Sequence, residues 1–176
     1  MTLAAVLLGA AASFTATTLT ERGKWRRAHS VRWDDKRLSA YSEYAVAVKA
    51  CAELSYRIAA GRGYPAVVRP LDGEPGLREL ADAETQRAMK WESVLLLGSP
   101  AAVAAGREWH DAVRRLSRVV TGTDVCLEDF AVSSEAVSLR RDAFYEHARA
   151  DLGIGKGQLP KADHEWLPPA GGDRRS

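Results

Sequence analysis

Polar and apolar residues follow three different patterns along this chain. The first is an uncharged run from Leu3 to Leu19, LAAVLLGAAASFTATTL. A membrane-crossing helix takes about 17–25 mostly apolar residues, so 1–20 is just long enough. Gly9, Ser13, Thr15, Thr17 and Thr18 dilute it, but hydroxyls can bond back to the helix backbone and cost less in lipid than a charge. A cleaved leader carries its basic residues ahead of the apolar core. Here they come after it, so the pattern predicts a transmembrane anchor rather than a leader or a buried helix.

The second pattern begins at Leu38, where apolar residues recur at helical spacing. Leu38, Tyr41, Ala45, Val48, Ala52 and Ala59 form one stripe, widened by Tyr44, Cys51, Leu54 and Ile58. Gly61-Arg62-Gly63-Tyr64-Pro65 ends it. Ala66–Arg69 reads as a loop, since no partner strand is visible. Pro75 suits the first turn of a second helix with a stripe of Leu77, Ala81, Ala88, Trp91 and Leu95. Ser99 and Pro100 suit the N-cap and first position of a third. Its stripe is Val103, Gly106, Trp109, Val113, Leu116 and Val120. The Gly98-Ser99 connection is so short that these two helices should run antiparallel or bend sharply. Thr121–Asp124 breaks the third helix. Val125–Val132 reads as a short helix or an apolar loop, with Ser133 or Ser134 capping a fourth helix. That helix carries Val137, Phe144, Ala148 and Leu152 on one face, flanked by Leu139 and Ala143, and ends at Gly153 and Gly155.

The third pattern is the tail, 156–176, with three prolines, several glycines and charges at both ends. It predicts disorder; Trp166-Leu167 is its one candidate docking pair. The fold class expected is all-α. An N-terminal transmembrane helix continues into a long amphipathic helix, which packs in a four-helix antiparallel bundle. The domains expected are an anchor over 1–20, a basic collar over 21–37, the bundle over 38–155 and the tail.

Charge gives the anchor a direction. Between Glu21 and Arg37, seven basic residues against three acidic ones leave +4, more than the +2 of the whole chain. Basic residues beside a membrane segment stay cytoplasmic, which places Met1 outside and the body inside. Arg22, Lys24, Arg26, Arg27 and Arg32, with Trp25 and Trp33, form this membrane collar, suited to anionic head groups; the competing reading is a solvated helix surface. Hydrophobic residues make up 46% of the chain, much of this Ala, and aromatics only 7%, which favours closely packed helices. The near-neutral balance speaks against a dedicated nucleic-acid binder. Cys51 and Cys126 lie far apart and form no CxxC, so neither a zinc knuckle nor a thioredoxin-type site is expected; in a cytoplasmic body both would be free thiols.

The search for chemistry yields few candidates. There is no HExxH, no Glu-x-x-His and no GxSxG. Gly153-Ile154-Gly155-Lys156-Gly157 follows a helix instead of opening one, the wrong order for a phosphate loop. No cofactor or metal is expected. His110, beside a core-facing Trp109, and His147, with Asp151 one turn later, are the polar candidates; the bland alternative is a histidine satisfied by a neighbour. Trp91, Trp109, Phe144 and Tyr145 could line an aromatic pocket, but aromatics at helical spacing more often form core.

Three stretches carry a resemblance: Arg32-Trp33-Asp34 with Arg37-Leu38-Ser39-Ala40-Tyr41 and Glu43-Tyr44; Leu95-Leu96-Leu97-Gly98-Ser99-Pro100 leading to Trp109-His110-Asp111-Ala112-Val113; and Arg141-Asp142-Ala143-Phe144-Tyr145 with Ala148-Arg149-Ala150-Asp151-Leu152-Gly153. In these the chain resembles a set of small actinobacterial proteins of unknown function, with an N-terminal hydrophobic segment, a basic collar and an all-helical body. The resemblance implies no activity. The function expected is a single-pass, membrane-anchored interaction or scaffold protein without catalysis, whose partners are the membrane, a protein and, through its broad apolar stripes, a second copy of itself. The alternatives are an oligomeric effector that perturbs the bilayer through the small residues Gly9 and Ala12–Ala16, and a helical enzyme with an unrecognised site.

Overall fold

The computed structural model describes residues 33–71 and 73–154, all helix or connection, with no strand among the described residues. Helix α1 covers 33–61. It is followed by α2 (Gly73–Leu97), α3 (Pro100–Thr121) and α4 (Leu127–Asp151). The chain separates into two units at Lys36/Arg37, and the bundle belongs to the second.

The stripe on α1 is where the sequence places it. Tyr41, Tyr44, Ala45, Val48, Cys51, Ala52, Ile58 and Ala59 are all buried, joined by Ser55 and Tyr56; only Leu38, at its start, turns outward. This face is broad because α1 touches all three other helices. Tyr44 reaches Trp91 on α2, Trp109 on α3 and Phe144 on α4. The helix stops because Gly63 takes φ +82°, where a side chain would be strained. The amides of Gly63 and Tyr64 bond back to the carbonyls of Ala60 and Ala59, at 3.2 and 3.0 Å, and satisfy the open helix end. Tyr64 then folds into the core. The segment after it is a loop, as expected, tied back by Leu71 N donating to Arg57 O at 3.0 Å.

The contact pairs give the helix directions. Glu43 and Arg57 on α1 meet Lys90 and Glu79 on α2, in reverse order. Ser99 and Glu108 at α3 meet Asp151 and Arg140 on α4, also reversed. Tyr44 and Ser55 on α1 meet Gly106 and Ser117 on α3 in the same order. Successive helices therefore alternate in direction. Ser99 caps α3 by accepting from Ala102 N at 3.3 Å, with Pro100 at the first position, as the sequence indicates.

Two expectations need correction. The outward side of α2 is the stripe predicted to face inward: Leu77, Ala81, Ala88 and Leu95 are exposed, and only Trp91 is half-buried. The face that packs carries Gly76, Leu80, Ala83, Glu84, Arg87, Trp91 and Val94. It is rotated because two charged residues occupy inward positions, leaving the apolar count to favour the wrong side. On α4, the helix begins at Leu127, not after Ser133. Cys126 takes the N-cap position without a side-chain cap bond, and Glu128 and Asp129 in the first turn favour the positive end of the helix dipole. Ser133 and Ser134 are buried inside the helix, and Leu139 faces outward. The predicted inward face, Val137, Phe144 and Ala148, is buried, and Gly153, at φ +69°, ends the helix.

Among the described residues no helix is long and apolar enough to cross a membrane. The predicted anchor (1–20), the collar residues Arg22, Lys24, Trp25, Arg26, Arg27 and Arg32, and the predicted tail (156–176) lie outside the described residues. Trp33 lies in the first described turn of α1 and is exposed.

Candidate functional site

Asp151 is a joint between helices. Its Oδ2 accepts from the Tyr41 hydroxyl of α1 and from Ser99 N at 3.0 Å, where α2 turns into α3. Arg37 reinforces this end by donating from Nε to Leu97 O at 2.9 Å. Burial first, and then the Asp151 carboxylate, push the Tyr41 phenol well above its ordinary range. Asp151 is thus engaged across three helices rather than with His147, which is exposed one turn before it.

His110 lies in a second polar cluster. From α3, its Nε2 sits 3.3 Å from Glu84 Oε2 on α2. Arg87, one turn along α2, donates from Nε to the same oxygen at 2.9 Å. The Arg87 and His110 side chains are only 11% and 13% exposed, and Glu84 29%. Glu84 Oε1 is buried without a hydrogen-bond partner. Burial works to raise the Glu84 pKa. The hydrogen bonds and charges of His110 and Arg87 outweigh it, holding the carboxyl at about 2.

Two α1 side chains lie under this cluster. Tyr44 donates to Gly106 O at 2.8 Å. Burial raises its phenol, against the opposing pull of Arg87. Burial, then the charge of Glu84, push the Cys51 thiol up to about 12. It is therefore a neutral thiol at ordinary pH, not a nucleophile. Deeper along the same seam the Ser55 and Ser117 hydroxyls lie 2.8 Å apart. Their own-helix acceptors are Cys51 O and Val113 O. Each hydroxyl has one hydrogen, so one bonds across the seam while the other bonds back to its own helix.

Above Glu84, Arg87 and His110 the α2–α3 groove opens into a cavity of about 370 Å³, with Leu80 from α2 and Arg114, Ser117 and Arg118 from α3 completing its lining. The cluster holds its carboxylate ionised and its thiol protonated, so it is arranged to hold charge rather than move protons. A second groove of about 420 Å³ lies between α1 and α2, lined by Ser42, Val46, Ala47, Ala50 and Gln86 with the Glu43–Lys90 pair, whose Nζ–Oε2 distance is 2.8 Å. No group of three metal-ligating side chains forms among the described residues.

The aromatic residues form core instead of a pocket. Trp109 and Phe144 are fully buried, with ring centres 5.5 Å apart. Tyr145 packs against both, and Trp91 packs on Tyr44 at the edge of the core. A second aromatic group, Tyr56, Tyr64 and Phe130, fills the opposite end of the bundle. Cys126 donates its backbone amide to the Tyr64 hydroxyl at 3.3 Å, tying the start of α4 to that group.

His110 is the one sequence candidate that reaches the cavity. Glu84, Arg87, Arg114 and Arg118 join it there. The two on α2 have a signal in the spacing: Leu80, Glu84, Arg87, Trp91 and Val94 recur at alternating steps of four and three residues, which puts both charges on the face that holds Leu80 and Val94. No family model, curated protein or solved structure matches the chain.

Proposed function

We propose that this chain is a membrane-anchored helical interaction protein that acts by binding, with its N-terminus outside and its body in the cytoplasm. The observation that supports it is the apolar surface left over once the bundle has formed. Leu96 is 82% exposed, Val46 68% and Leu139 63%, with Leu77, Met89, Leu95 and Val132 also open. Single exposed apolar residues are ordinary, but runs of them along α2 and α4 suit a protein partner or a second copy of the chain. The polar side chains His110 and Asp151 are spent on contacts between helices, which fits binding better than catalysis. The anchor and its orientation rest on the sequence, on the apolar run followed by the +4 collar.

A photo-crosslinking residue placed at Leu96 or Leu139 in the full chain, in intact cells, tests the reading. A discrete adduct from these positions, and none from the exposed Lys49, is expected; an adduct of twice the chain's mass identifies a homodimer. Only diffuse, position-independent products would remove the reading.

A further inference from the structure

The α2–α3 groove holds more positive charge than its internal pairing uses. Arg87 and His110 are committed to Glu84. Arg114 and Arg118 also line the cavity, are exposed, and have no ion pair or hydrogen bond among the described residues. They lie one turn apart on α3, where like charges repel each other. Three arginines against one carboxylate leave +2 around the cavity before His110 is counted. Asp111, the nearest other acid on α3, is exposed and stands outside the lining.

A guanidinium presents its N–H groups in a planar fork that matches two oxygens of a phosphate. Two such forks without partners, beside an Arg87 already fixed by Glu84, form a site for a dianion. The cavity, about 370 Å³, is within the range of small-molecule sites. It has room beyond an inorganic phosphate, and Leu80 gives it an apolar wall. Glu84 does not oppose the anion strongly, because Arg87 pairs with its charge and His110 lies within hydrogen-bond reach of the same oxygen.

We propose that this cavity binds the phosphate group of a phosphate monoester, with Arg114 and Arg118 holding its oxygens and Leu80 meeting the carbon part. A soluble ester and the head group of phosphatidic acid share this chemistry. The proposal stands apart from the interaction surface described above, since it uses the groove and not the outer faces.

The test uses the full chain in neutral detergent micelles, with thermal unfolding followed by circular dichroism. One arm adds glycerol 3-phosphate, with chloride at matched ionic strength as the control. The other adds phosphatidic acid to the micelles, with phosphatidylcholine as the control. A saturable rise in Tm beyond the control is expected in at least one arm. Arg114→Gln with Arg118→Gln should weaken the apparent affinity by about tenfold or more, and Arg118→Gln alone by less. Arg115→Gln, outside the lining, should leave it unchanged. A response to the soluble ester alone identifies a soluble ligand; a response to the lipid alone identifies a head group; a response to both fits the shared phosphate. No rise beyond the control in either arm, or an equal rise in the double variant, would overturn the site. Both arginines are exposed, so the variants should keep the native helical spectrum, and the single variant gives a second reading if the double one does not.

Discussion

Tyr44 donates its phenolic hydrogen to the carbonyl oxygen of Gly106, 2.8 Å away, and so ties α1 to α3. A Cβ at Gly106 would stand 3.0 Å from a ring carbon of Trp91 and 3.3 Å from ring carbons of Phe144 and Tyr44. Rings from α1, α2 and α4 thus meet at one α3 residue without a side chain. Alanine favours helix over glycine by about 1 kcal/mol. Overpacking a tight core costs about 1–3 kcal/mol. Here three rigid rings would have to move together, so Gly106→Ala should destabilise the bundle on balance, by up to about 2 kcal/mol. A lower urea midpoint with an unchanged m-value is the expected result.

Glu84 sets an acid dependence. Its carboxyl titrates near 2 in the folded chain against the ordinary 4.5. A depressed carboxylate pKa contributes stability that is complete above the unfolded value and is lost as pH falls through the folded one. Glu84→Gln should therefore cost about 1–3 kcal/mol at neutral pH, through weakened bonds to Arg87 and His110. The gap between variant and native chain should narrow as pH falls from about 4.5 toward 2. Urea titrations of both proteins across that range would show it; a constant gap would assign the cost of the variant to packing alone.

The Tyr41–Asp151 bond should behave as a structural joint. Tyr41→Phe removes the hydroxyl and leaves Oδ2 with only Ser99 N. A loss of about 1–3 kcal/mol is expected, the usual cost of stripping a partner from a partly buried charged acceptor. Hydrogen exchange should quicken first at the α2–α3 corner and the end of α4, before the opposite end near Tyr64.

The facing of α2 can be tested with two leucines. Leu80 is 8% exposed and Leu96 is 82% exposed. Leu80→Ala should cost about 2–5 kcal/mol, the range for a buried leucine. Leu96→Ala should change stability by less than about 0.5 kcal/mol. The reverse order would contradict the inward facing of Leu80.

Much of the bundle was legible because its helices announce themselves by period and punctuation. The core side of α1 and of α3, the Gly63 stop and the Ser99-Pro100 start all follow from apolar spacing and turn chemistry. The facing of α2 was not legible from apolar residues alone. Its inward positions include Glu84 and Arg87, which are tolerated there only because they pair with each other and with His110 from another helix. That partner is distant in sequence, so no local rule finds it. The start of α4 is hidden in the sequence for a related reason: serine is a common helix cap, yet Ser133 and Ser134 lie within the helix and are buried against the core. The cavity itself depends on how α2 and α3 meet, and only His110 pointed toward it.

The most direct test of a membrane-anchored body is the partition of the full chain, carrying a C-terminal tag, after membranes are washed with alkaline carbonate. Retention in the pellet is expected, with release into the soluble fraction once 1–20 is deleted. Release of the intact chain would contradict the anchor, and the four-helix bundle would then have to be understood as a free-standing binding domain.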